Sequence, residues 1–576
     1  MVCCALLEIL LLLSLADSLN AQTATRDSVD DRSRIKVQTR LVQVDVVVTK
    51  EKDQAVPGLR KEDFQILEDG GAQTISFFEE HKGVAATRVE LAPTEANEFS
   101  NYPTSKSVDT VNVLMIDALN TQPKDQAFVH AQIVKYLQSL PPGTRIGIFV
   151  LGTRLKMIRG VTDDSPSLVT AFTEKAGTGP ELTNLLTTDF QKAGEQLAVD
   201  TMVKNDSADS GIDALRDYQK QDATRVIDTR LGATLLAFQQ LARYLSPFAG
   251  RKNLIWISGS FPVNFSPRAT SRGKNASSKH QYQRNIQATT DRLAEYHIAV
   301  YPIGATGLAI NNTYNVDNSG RPISEENTEF SSNQTAMENL ATSTGGKAYY
   351  NMNSLAEATS KAVDHGSRYY SIAYTPKRGE MDGKYRQIEV KLVGHKYKLI
   401  YRRGYYADDA AMPQEADLAG AGDPLLPLLG FGMPDFSQVI FNVHVGRVEP
   451  QPDPNSVPVG TNIDRKQIAK RYRLDFAMPA QSVTLKTNAD GVREGGIEVK
   501  LIAYDSAGKP MNLVGKTIRI VLPPGTYETL LQSGGFQFHE DIDLLSGDLY
   551  LRAGIYDLTS THAGTLGFPL RVAGPN

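Results

Sequence analysis

Past residue 4 the sequence contains no cysteine: its two, Cys3 and Cys4, stand at the head of an apolar run near the N-terminus. A chain cut after that run can form no disulfide and offers neither a thiolate nucleophile nor a cysteine-ligated metal. Basic blocks are missing as well. With 61 Lys and Arg against 65 Asp and Glu the formal net charge is −4, and no cluster of cations marks a nucleic-acid surface or an anionic-membrane patch. Long apolar stretches are equally scarce. The run Ala5–Leu15, broken only by Glu8 and Ser14, falls short of the roughly 20 apolar residues that a spanning helix needs, and no later segment makes up the difference.

That run is followed by Leu19-Asn20-Ala21 and then a polar stretch. The order predicts a signal peptide over 1–21 and export to the periplasm, the envelope or the medium, with no membrane insertion after leader cleavage. A membrane-anchoring helix or a misplaced start codon is the alternative.

A chain of 576 residues is too long for one core, and three or four domains are expected. Residues 22–33 are polar and read as a flexible N-terminus. Over 34–81, alternation from Ile35 to Val46, a Pro57-Gly58 pair and the Glu68-Asp69-Gly70-Gly71 turn predict a small β domain. Residues 82–108, with Pro93 and Pro103, read as a linker.

From 109 to 406 short apolar strands alternate with amphipathic helices. Val111–Ile116, Arg145–Leu151, Asn253–Ile257 and His297–Ile303 are the strands. Helices are expected over Lys124–Leu140, with Phe128, Ile133, Val134 and Leu137 facing inward, and over Leu231–Leu245, Ile286–Glu295 and Ala336–Ser343. A polar, helix-prone insertion covers 163–228. This pattern demands a doubly wound, mostly parallel α/β sheet, whose ligands approach the carboxyl ends of the strands, where Asp117 sits. Tyr369–Tyr374, Arg386–Val393 and Lys396–Tyr401 read as strands extending or flanking that sheet. Residues 407–435 read as a Pro/Gly/Ala linker. Regularly spaced strands and turns over 436–576 predict an antiparallel β-sandwich.

The strand ending in Asp117-Ala118-Leu119-Asn120-Thr121 is similar to the first metal-binding loop of von Willebrand factor A (VWA) domains. More broadly, residues 41–406 resemble the VWA-related proteins of acidobacterial genomes. The matching pieces are Leu41–Thr49, Leu59–Phe64 with Glu68-Asp69-Gly70, Arg251–Gly259, Tyr370–Pro376 and Arg402–Ala407. The resemblance implies a divalent cation held by Asp-x-Ser-x-Ser, a second-loop Thr and a third-loop Asp, all hard oxygen ligands suited to Mg²⁺. Against that pattern Asp117 keeps the first position, Leu119 replaces the first Ser and Thr121 stands for the second. Thr229 fits the second-loop Thr better than Thr234 does, and Ser258-Gly259-Ser260 supplies no carboxylate. Asp117, Thr121 and Thr229 therefore form a degenerate metal site, and one charged ligand disfavours Mg²⁺ or any other cofactor. In the competing reading, Asp117 and Asn120 cap the following helix or fix the loop.

No hydrolase motif is present: there is no Gly-x-Ser-x-Gly, no His-Glu-x-x-His and no phosphate-binding loop. The nine histidines are scattered, and His297 reads as a boundary residue. The pairs Tyr349-Tyr350, Tyr369-Tyr370 and Tyr405-Tyr406 put at most one ring each on a common face, so packing is favoured over a carbohydrate platform. The expectation is a non-catalytic binding or adhesion protein with an unidentified protein partner. A hydrolase whose site assembles only in three dimensions, or a purely structural envelope component, is the alternative.

Overall fold

The computed structural model describes residues 41–50, 53–83, 97–102, 110–175, 229–260, 276–305, 323–352, 354–377, 382–407, 423–453, 456–461 and 469–574. The leader, residues 22–33 and most of the 163–228 insertion lie outside these.

The apolar runs of the middle segment form one five-stranded sheet in the order β10-β9-β6-β7-β8. Its members are β6 (Thr110–Asp117), β7 (Ile146–Leu151), β8 (Leu155–Thr162), β9 (Arg251–Ser258) and β10 (Ile298–Gly304). All neighbours are parallel except β8, which returns beside β7 as an antiparallel edge. Every residue of β7 and β9 is buried, which explains why these strands show no alternation: helices cover both faces. On one face Val111, Val113, Met115 and Trp256 pack with the helix at 229–245 (α3) and with α4 (Ala276–Glu295) and α5 (Ile323–Thr344). On the other, Leu114, Ile255 and Ile257 meet α1 (Pro123–Gln138), α2 (Ser165–Lys175) and α6 (Leu355–Ser367). Phe128 is not part of the inward face of α1; it is 42% exposed, and Val129 and Tyr136 take that role beside Ile133 and Leu137. Two glycines allow a close approach that a side chain would block. A Cβ on Gly346 would stand 1.9 Å from the Val300 carbonyl oxygen, and one on Gly366 1.9 Å from the Asn253 side chain.

The N-terminal β region is completed from far along the chain. Strands β1 (Val42–Thr49), β2 (Phe64–Glu68), β3 (Gly71–Gln73) and β4 (Ile75–His81) share sheets with β11 (Tyr369–Tyr374), β12 (Tyr385–Leu392), β13 (Lys398–Ile400) and β14 (Gly404–Tyr406). They make two four-stranded sheets, β13-β1-β11-β4 and β14-β12-β2-β3, around Val44, Val46, Ile66, Tyr370, Ile372 and Ile388. A boundary at 406 thus encloses strands with the α/β segment whose hydrogen-bond partners lie in residues 42–81. The two parts meet over a buried ion network. Asp45 of β1 lies 3.9 Å from Arg251 and 3.6 Å from His297, and Arg251 also donates to Tyr301 and to the Gly345 carbonyl.

The C-terminal strands form a sandwich of β20-β16-β15-β5 against β17-β18-β21-β22, with β19 beside β18, over one apolar core. Here β15 is Asn442–Arg447, β16 Ala469–Met478, β17 Lys486–Thr487, β18 Arg493–Tyr504, β19 Pro510–Leu522, β20 Phe536–Leu545, β21 Gly547–Asp557 and β22 Ala563–Val572. Both expected linkers carry structure. Strand β5 (Glu98–Ser100), within 82–108, pairs with β15. Within 407–435, Leu425, Leu428, Leu429 and Met433 are buried in the core of the α/β unit together with Ile502 and Tyr556 of the sandwich. Apolar side chains at those spacings outweigh the linker-like composition around them.

Candidate site at the carboxyl end of the central sheet

Parallel register brings Asp117 level with Ser258 on β9 and with Leu151 on β7. The chain then leaves β6 in a tight loop, and Asp117 turns its buried carboxylate back into it. Its Oδ1 accepts the Asn120 N–H at 2.9 Å. Its Oδ2 accepts Asn120 Nδ2 at 2.8 Å and Trp256 Nε1 at 3.0 Å, and lies 3.0 Å from the Ser258 hydroxyl. The Thr121 hydroxyl donates to the Asp117 carbonyl at 2.5 Å and accepts the Gly259 N–H at 2.9 Å, clamping the two loops together. Ser260 donates to the Asn120 carbonyl at 3.1 Å. Burial pushes the Asp117 carboxyl up from its ordinary value, and the hydrogen bonds from Asn120, Ser258 and Trp256 oppose that rise without cancelling it.

Of the two readings of Asp117, loop fixation is the one the geometry displays. Helix α1 starts from Gln122 without a side-chain cap and uses Pro123 at its first position. Thr121 is where the sequence places it, but it faces the backbone of its own loop. Thr229 is exposed at the start of α3. The threonine that reaches the site is Thr234, fully buried, whose hydroxyl accepts Asn120 Nδ2 at 3.2 Å and donates to the Arg230 carbonyl. Trp256 is a site residue that motif reading passes over, and Ser258, read there only as lacking a carboxylate, is a partner of Asp117. Their signal is positional: two parallel strands ending in step put 258 beside 117.

This set does not fit a magnesium ion. The one carboxylate is 0% exposed and its acceptor positions are taken by donors of the same chain, whereas a dication demands several free oxygens in an octahedron. At the third-loop position a Cβ on Gly259 would stand 3.0 Å from Thr121 Cα, so an aspartate there requires the loops to part. Ser258 and Ser260 hydrogen-bond to the Asp117 carboxylate and to the carbonyls of Ser260 and Asn120.

A second polar cluster joins the loop after β1 to the α/β unit. His365 Nδ1 lies 2.8 Å from the Tyr349 hydroxyl, and its Nε2 lies 3.8 Å from Asp53, which Lys347 holds at 3.0 Å. Burial, reinforced by the Lys347 charge, pushes His365 down to about 4. A neutral imidazole sealed at 4% exposure braces this junction. Tyr349, Tyr369, Tyr370 and Tyr405 are likewise buried, as expected of packing residues. Among the described residues no three His, Cys, Asp or Glu side chains converge as a metal centre would require, and no helix is long and apolar enough to cross a membrane.

No known family profile matches the chain, and no curated protein matches it. Among solved structures it is similar to an aerotolerance-related membrane protein from Bacteroides fragilis, at 14% identity and a TM-score of 0.22, over 44% of this chain and 98% of that one. It is also similar to the SpRpn10 VWA domain, at 13% identity and 0.19, over 44% and 94%. A third is proximal thread matrix protein 1 of the mussel byssus with a zinc-occupied MIDAS motif, at 11% identity and 0.23, over 48% and 50%. Scores at this level leave the question of function to the site itself.

Proposed function

We propose that this chain is an exported, non-enzymatic binding protein of adhesion type, in which a VWA-like α/β unit of the acidobacterial kind presents the carboxyl-end rim of its sheet to another protein without a bridging cation. One observation carries the reading: Asp117 is consumed internally by Asn120, Trp256 and Ser258. The loops at the rim are then held by hydrogen bonds, and their backbone shape is what a partner meets. The antiparallel edge β8 beside a parallel sheet and the motifs from Leu41 to Ala407 support the family assignment. The apolar run Ala5–Leu15 supports export. The two flanking sandwiches act as spacers or secondary surfaces, and the buried leucines of residues 425–429 make the C-terminal one continuous with the α/β core.

The test is capture of a saturable protein partner by the full chain, repeated with the exposed rim positions Gln122 and Thr229 changed to Arg. The double variant should weaken capture at least tenfold while its melting curve stays put. Capture indifferent to the rim, or turnover of a peptide or glycan by the pure chain, would overturn the proposal.

A further inference from the structure

The outer face of the sheet β20-β16-β15-β5 carries a row of side chains that neither the rim nor the core uses. Val443, Val445, Leu474, Phe476, Ile542 and Leu544 point into the sandwich. Successive residues alternate faces, which turns His444, Asp475 and His539 outward. Strand pairing then sets them directly opposite one another: Glu98 against His444, His444 against Asp475, and Asp475 against His539. His444 and Asp475 are each 56% exposed, with His444 Nδ1 3.8 Å from Asp475 Oδ2, and His539 is exposed too.

We propose that His444, Asp475 and His539 form a surface site for a zinc-class transition-metal ion, independent of the Asp117 rim. Two imidazoles and one carboxylate are a ligand set that Zn²⁺ accepts with an open fourth position, and one that Mg²⁺ does not seek. Spacing allows it. Strands lie about 4.8 Å apart, so the two histidines flank Asp475 by that amount on either side. An imidazole swung inward covers the gap together with a Zn–N bond of about 2 Å. The three side chains do not already converge among the described residues; the backbone supplies the row and rotation of the exposed rings completes it.

The neighbours on the same face leave room for that rotation. Gly446 flanks His444, and the first atom of a side chain placed there would be 3.8 Å from the His444 ring. Ala477 flanks Asp475. The adjacent cation, Arg473, is committed to Asp541 through two hydrogen bonds of 2.9 and 3.2 Å, so it competes little for Asp475. Glu98, opposite His444 on the far side, is placed to accept a hydrogen bond from the ring N–H that does not bind metal.

Titration calorimetry of the full chain with ZnCl₂ at pH 7.5 tests this. One equivalent should bind, His444→Ala and His539→Ala should each weaken binding at least tenfold, and His395→Ala should leave it unchanged. Absence of saturable zinc uptake, or uptake that survives in the His444→Ala/His539→Ala double variant, would overturn the site. Because all three side chains are exposed, the variants retain the wild-type melting curve, and a rim that fails to bind protein leaves this result untouched.

Discussion

Trp256 donates its indole N–H to Asp117 from the neighbouring strand, at 3.0 Å, inside the sheet's carboxyl end. It is the chain's single tryptophan, fully buried and edge-on to Phe238 at 5.0 Å. One side chain thus completes the core and fills a carboxylate lone pair. Trp256→Phe keeps most of the packing and removes the donor. Loss of a buried bond to a carboxylate costs about 1–3 kcal/mol, and urea unfolding should show a loss of that size. Asp117→Asn should be tolerated better than Asp117→Ala, which takes the acceptor away from the Asn120 N–H and the Trp256 indole N–H.

Asp45 should make stability sensitive to acid. Burial alone would raise its carboxyl, but the hydrogen bond and charge of His297, with Arg251 and Ser371, outweigh burial and hold it well below the ordinary range. A carboxylate depressed in the folded state gives stability that is fully present above its unfolded value near 3.9 and is lost as pH falls below that. Urea midpoints measured from pH 6 down to pH 3 should drop, and the drop should be shallower in Asp45→Asn.

His365 acts in a higher window. With its folded value near 4 and an unfolded value near 6.5, the unfolded chain binds more protons between them, so stability falls as pH goes from about 6.5 towards 4. His365→Gln should flatten that part of the profile and leave the part below pH 4, due to Asp45, in place.

The segment 82–108 should behave as a structural element at its C-terminal end. Asn101 is 4% exposed; its amide donates to the Phe436 and Val439 carbonyls and its oxygen accepts the Phe441 N–H. Asn101→Ala strands these groups in the interior, and a loss of about 2–4 kcal/mol is expected from two or three unmade buried bonds, read by thermal or urea unfolding.

The central sheet is legible in the sequence because burial on both faces writes unbroken apolar runs such as Val111–Ile116, and because helices return between them. The partnership of Tyr369–Tyr374 with Val42–Val46 leaves no local trace: each strand reads correctly alone, while their pairing across more than 300 residues is decided by which apolar faces remain to be covered. Leu425, Leu428 and Leu429 were hidden among Pro, Gly and Ala, where composition speaks for a linker and only packing reveals a core. At the rim, Asp117 is found by its place at a strand end. Thr234 displaces Thr229 because the site is reached from the inner face of α3 rather than from its first residue, a matter of helix phase that motif spacing does not encode.

The central claim is that Asp117 serves its own loops and holds no cation. Calorimetric titration of the full chain with MgCl₂ and MnCl₂ at pH 7.5, in wild type and Asp117→Ala, tests it most directly. The account predicts no saturable binding that differs between the two. Micromolar binding in the wild type that disappears in Asp117→Ala would contradict it.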